Sequence, residues 1–155
     1  MMKTRTRLAG AAAAGAISLV GAWEGLRMTA YRDIVGVSTV CYGETRGVRL
    51  GDRHSKADCD AMLLASLKRH EAGMRKCLRA PDRIPVKSYI AFVSLTYNIG
   101  VGAFCRSTAA RRLNAGDVRG ACEAATWFNK AGGRKVRGLV NRRAAEHDLC
   151  LEGVE

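Results

Sequence analysis

Glu24, Asp33 and Thr39 fall within sixteen residues, EGLRMTAYRDIVGVST (24–39), and the two carboxyls among them are groups that could carry out acid–base chemistry. A protonated carboxyl can pass its proton to a leaving oxygen. A second, ionised carboxyl can activate water or stabilise positive charge, which is the division of labour in glycoside hydrolysis. Glu24 follows Trp23 at the end of an apolar stretch, where burial would keep a carboxyl protonated. Asp33 follows Arg32, where a cation and solvent would keep it ionised. The plain alternative is a glutamate at a helix end and an aspartate in a turn.

The surrounding sequence must place these groups. From Asp33 to Leu50, β-branched residues are punctuated by Gly36, Gly43 and Gly47, with Gly51 just beyond, which predicts short strands and tight turns. Ser55, with Asp58 three positions later, starts a helix on which Met62, Leu63, Leu67, Met74 and Leu78 recur up to Pro81. VKSYIAFVSLTYNIG (86–100) is apolar on nearly every face and reads as a buried central helix. Ser107 caps a short helix ending before Gly116, Asp117 caps another reaching Trp127 and Phe128, and a last helix runs from about Arg134 to Leu149. Strands followed by helices indicate an α+β domain: a small antiparallel sheet lobe and a larger helical lobe, joined by a long helix, with a cleft between them.

The chain has 155 residues, enough for one domain, and a formal net charge of +12. Such charge favours an anionic partner: nucleic acid, a membrane surface or an envelope polymer. Nothing here has the spacing of a zinc finger, an RNP motif or a basic heptad region. Six cysteines, none spaced as CxxC, and three scattered histidines do not suggest a metal site; no cofactor is expected. An even cysteine count behind an export-like segment suits three disulfides, against the alternative of six buried cytosolic thiols. Joining neighbours along the chain gives Cys41–Cys59, Cys77–Cys105 and Cys122–Cys150, one of about fifteen possible pairings.

Lys3, Arg5 and Arg7 precede an apolar run at residues 8–22, the charge order of an exported or inserted N-terminus with its basic end in the cytoplasm. Fifteen helical residues span about 22 Å against a hydrocarbon core of about 30 Å. Ten of the fifteen are Ala or Gly, so insertion is marginal. A cleavable signal peptide, a buried core helix and a weak anchor that later leaves the bilayer all fit.

EGxRxxAYRDxxGxxTxCYG (24–43) resembles the catalytic signature of phage-type lysozymes, glycoside hydrolase family 24. The likeness continues through YNIGVGAFCRST (97–108), RRLNAGDVRGAC (111–122) and WFNKAGGRKVRGLVNRR (127–143). The resemblance implies a lysozyme-like fold and a muramidase that cuts the β-1,4 bond between N-acetylmuramic acid and N-acetylglucosamine in peptidoglycan. It implies that Glu24 is the general acid, and that Asp33 and Thr39 position the attacking water with inversion. Where the family often has His, this chain has Glu44, expected to face solvent because Glu is seldom buried unpaired. Asn98, Arg137, Arg142 and Arg143 are candidate saccharide or peptide contacts, although an Arg-rich last helix usually forms a solvated face.

Some relatives use a signal-arrest-release anchor. By likeness, residues 1–23 would tether the enzyme to the inner membrane, and 24–155 would be the catalytic domain, held in the periplasm and later soluble there, as a monomer. No nucleic acid is expected as a partner. A lytic transglycosylase and a non-enzymatic basic membrane- or nucleic-acid-binding protein are the competing functions.

Overall fold

The structure, a computed structural model, describes residues 5–155; Lys3 and the other early residues of the expected anchor lie outside the described residues. The apolar run forms helix α1 (Gly10–Glu24). Ala13, Ala16 and Val20, with Leu8 just before the helix, are buried in the core. The remaining faces carry mainly Ala, Gly and Ser, small residues that lose little by meeting water. No helix of the described residues is long and apolar enough to cross a membrane.

Gly25, with φ 72°, ends α1 in a conformation that favours glycine and turns the chain directly into β1 (Arg27–Arg32). β1 pairs antiparallel with β2 (Ser38–Cys41), with Tyr31 opposite Thr39 and Arg32 opposite Ser38. The other edge of β1 bonds to residues 52–54, through Ala30 N–H to the Asp52 carbonyl at 2.8 Å and His54 N–H to the Met28 carbonyl at 2.9 Å. The sheet therefore begins six residues before Asp33, and most of 42–54 is turns rather than strand.

α2 (Lys56–Lys76) is the long connecting helix, opened by the reciprocal Ser55/Asp58 capping box that the sequence signals. α3 (Val86–Ile99), buried from Ser88 to Thr96, is the centre of the helical lobe. Around it lie α4 (Val101–Cys105), α5 (Thr108–Asn114), α6 (Val118–Ala125) and α7 (Arg137–Val154), with Ser107 and Asp117 capping α5 and α6 as expected. α6 stops short of Trp127. Before α7 a second hairpin pairs β3 (Lys130–Ala131) with β4 (Arg134–Lys135), turning on Gly132 and Gly133, both at positive φ.

The disulfides are Cys41–Cys59, Cys77–Cys105 and Cys122–Cys150, the neighbour pairing. The first ties β2 to α2, the last α6 to α7.

Residues just ahead of α1 are fastened to the C-terminal half of α2. Glu71, 1% exposed, accepts hydrogen bonds from the Thr6 hydroxyl, the Arg7 backbone N–H at 2.9 Å and the Tyr89 hydroxyl. The Arg7 guanidinium donates to the carbonyls of Pro81 and Ile84 and lies 4.4 Å from the Tyr89 ring centroid. Glu71→Gln would set an amide N–H₂ against these donors. It is expected to cost about 2 kcal/mol, lowering Tm by about 4–8 °C in a calorimetric comparison with the wild type.

Candidate active site

Glu24 occupies the last position of α1, where Gly25 turns the chain away and leaves the carboxyl at a cleft of about 440 Å³ between the two lobes. Gly43, Glu44, Thr45 and Arg46 line the cleft from the sheet side, Ser66, Arg69 and His70 from α2, and Tyr97 and Asn98 from α3. The Glu24 side chain is 25% exposed and receives a hydrogen bond of 2.7 Å from Arg142 Nη1. The apolar setting expected for Glu24 is thus corrected: its nearest polar partner is a buried cation. Arg142 comes from one turn into α7, 118 residues away, so no local pattern reveals the pair.

Asp33 begins the β1–β2 loop and is held by its own turn. Its Oδ1 accepts the backbone N–H groups of Val35 at 3.0 Å and Val37 at 2.8 Å, while its N–H donates to the Val37 carbonyl. Backbone donors, rather than Arg32, are its close partners, and Oδ2 has no hydrogen bond among the described residues. Thr39 is buried, and its hydroxyl donates to the Val37 carbonyl at 3.0 Å. Asp33 and Thr39 therefore share one hairpin end, whereas the cleft wall beside Glu24 is built by residues 43–46.

Glu44 is half-buried in that wall instead of facing solvent freely, and its N–H bonds back to the Val40 carbonyl at 2.9 Å. Burial, with Glu24 and Glu44 nearby, pushes the Tyr97 phenol up to about 12, so it stays a proton donor in the cleft at any ordinary pH. The sequence reading did not single out Tyr97, Ser66 or His70 for the cleft. The signal available was Ser66 and His70 four residues apart on one side of α2, where His70 Nδ1 meets the Ser66 carbonyl at 2.8 Å and its ring lies against Tyr97.

Arg142 and Arg143 are 4% and 2% exposed, which corrects the solvated-face expectation for this part of α7; Arg137 is exposed. Between the two buried arginines lies Glu146, also buried. Burial pushes its carboxyl up, opposed by Arg143, Ser94 and Arg142, while burial also pushes the Arg143 guanidinium down. Arg143 Nη2 donates to Asn98 Oδ1 at 2.8 Å, which orients that cleft amide.

The Phage lysozyme family model matches residues 21–146, more than three quarters of the chain and the whole of the geometry above. The chain belongs to the phage lysozyme family. Within it, the enzyme is of the SAR-endolysin type. It is 41% identical over 150 residues to the SAR-endolysin of Pseudomonas phage phiKMV, with 94% of this chain and 91% of the relative covered. An endolysin from Escherichia coli O157:H7 phage FAHEc1 superposes with a TM-score of 0.81 at 31% identity, covering 96% of this chain and 95% of that one. The active form of P1 phage endolysin Lyz gives a TM-score of 0.80 at 25% identity over 91% of this chain and 85% of its own. The secreted inactive form of Lyz gives 0.60 at 20% identity over 99% of this chain and 98% of its own. The backbone with α1 packed in the core is therefore nearer in shape to the active form of that endolysin.

Proposed function

We propose that this muramidase, an endolysin acting on peptidoglycan, cleaves the β-1,4 bond between N-acetylmuramic acid and N-acetylglucosamine by inversion, with Glu24 as general acid. The observation that carries the reading is the placing of Glu24 at the lip of the interlobe cleft, oriented by a buried guanidinium 2.7 Å away. A glycan lying across the cleft would present its bridging oxygen to the Glu24 carboxyl. Proton transfer to that oxygen breaks the C–O bond as positive charge grows on the ring. Asp33, locked by two N–H donors on one oxygen, keeps the other free to orient water and to face the developing charge. The Thr39 hydroxyl gives its proton to a backbone carbonyl and so offers lone pairs to the same water.

Residues 1–23 act first as a weak inner-membrane anchor that keeps the catalytic domain 24–155 tethered on the periplasmic side, and the soluble periplasmic monomer follows release. Two features support this: a short, Ala- and Gly-rich run behind basic residues, and a fold in which that same run is core. While 8–22 lie in lipid, Glu24, two residues on, would be at the bilayer surface and apart from its cleft.

Mass spectrometry of peptidoglycan digested by the purified protein tests the chemistry. Hydrolysis should yield saturated muropeptides with N-acetylmuramic acid at the reducing end. Anhydro-muramyl ends in their place would identify a transglycosylase and remove the water-positioning roles of Asp33 and Thr39.

A further inference from the structure

One buried carboxylate touches both arginines that reach the cleft, and the mechanism above gives it no part. Glu146 on α7 is 2% exposed. Its Oε2 accepts the Ser94 hydroxyl of α3 at 2.5 Å and lies 3.5 Å from Arg142 Nε and 3.3 Å from Arg143 Nη2. Its Oε1 lies 2.7 Å from Arg143 Nε. From this hub, Arg142 reaches Glu24 and Arg143 reaches Asn98.

We infer that Glu146 is a positioning residue for the reaction: through Arg142 it sets the charge and placement of Glu24, and through Arg143 it fixes the Asn98 amide at the cleft. The inference rests on the general-acid role proposed for Glu24. Arg142 Nη2 and Nε are both buried without a hydrogen-bond partner among the described residues, so this guanidinium is held by its hydrogen bond to Glu24 and by the charge of Glu146, which lies 3.5 Å from Nε as an ion pair. With Glu146 ionised, Glu24, Arg142, Glu146 and Arg143 together are neutral when Glu24 is ionised. Without the Glu146 charge, the Arg142 field falls on Glu24 uncompensated and favours its ionised form, the wrong state for an acid. Asn98 is affected separately. Arg143 can only donate, so it fixes Oδ1 as its acceptor and leaves the Nδ2 donors for a substrate oxygen. The other titratable and charged groups that face Glu24 across the cleft are Glu44 and Arg46 from the sheet side, Arg69 and His70 on α2 and Tyr97 on α3, while Glu123 of α6 pairs with His147 of α7 at 3.3 Å.

The test is the pH–rate profile of soluble muropeptide-chain hydrolysis by Glu146→Gln, with Tm measured in parallel. Expected are a fall in kcat of about tenfold and an alkaline limb moved about one unit to lower pH. KM should rise several-fold as Asn98 loses its orientation, and Glu146→Asp, which keeps the charge, should return the limb close to its wild-type position. A lowered Tm with an unchanged limb and unchanged kcat at temperatures where the variant is folded means a structural role alone and overturns the inference. If Glu146→Gln does not fold, Glu146→Asp decides. A lowered kcat on a wild-type limb with Tm unchanged upholds the inference, because the charge has been kept but drawn back from Arg142; wild-type kcat and KM, or losses that follow a lowered Tm, overturn it. Glu24→Gln is assayed alongside. If that variant is as active as wild type, the proposed mechanism fails; if it is inactive while Glu146→Gln behaves as wild type, only the inference about Glu146 fails.

Discussion

Glu24→Gln is expected to remain folded and to clear an outer-membrane-permeabilised bacterial suspension about 1,000-fold more slowly than the wild type, about 4 kcal/mol of transition-state stabilisation. The substitution keeps the shape of the side chain and an oxygen that can accept from Arg142 Nη1, which now lies 2.7 Å from Glu24. It removes the transferable proton. Arg142 would retain Glu146 as a counter-ion 3.5 Å away, so the buried cation is not abandoned and the fold should lose only a few degrees of Tm. A melt combined with the turbidity assay separates the two effects. Near-wild-type clearing by the variant would exclude Glu24 as the acid. Glu44, on the sheet wall of the same cleft, would then be the carboxyl to examine.

The parts of this fold that could be read from the sequence are those decided by local chemistry. Ser55 and Asp58 form a capping box, Ser107 and Asp117 cap their helices, and an apolar stretch too uniform for a surface helix became the buried α3. The second hairpin was missed because its strands are two residues each, and only Gly132–Gly133 announces it. α4, five residues containing Gly102, is too short to show a helical period. The first sheet was placed too late because β1 is mostly exposed and lacks a clean alternation. At the site, the residue types and order of Glu24, Asp33 and Thr39 were visible, but their environments were not. Charged residues on the last helix ordinarily predict a wet face; here Arg142, Arg143 and Glu146 are buried because they neutralise one another and reach Glu24, Asn98 and Ser94 on other elements. Such pairings join residues 45 to 118 positions apart and leave no periodic trace.

A protein beginning at Ile17, as signal-peptide cleavage would leave it, is expected to be unfolded or nearly so at 37 °C and to lose more than about 100-fold in activity. Cleavage there removes Leu8 and Ala16, both fully buried, together with Ala13. Truncating one buried Leu to Ala costs about 2–5 kcal/mol, and stripping Thr6 and Arg7 from the buried Glu71 carboxylate costs about 1–3 kcal/mol more. Against a typical total of about 5–15 kcal/mol, little stability remains. The shortened α1 would be two turns long and would carry Glu24 at its end, so any molecules that do fold would hold the acid loosely. On the proposed anchor reading, one helix would serve both demands. Leu8, Ala13, Ala16 and Val20 fill the core, while the small residues on the other faces are cheap to leave in water and weak at holding a helix in lipid. Circular dichroism melts and clearing assays on the two proteins, with N-terminal sequencing of the periplasmic form, check this. A stable, fully active periplasmic enzyme with its terminus near Gly15 or Ile17 would show that the core does not need the segment, and would exclude intact release from the membrane.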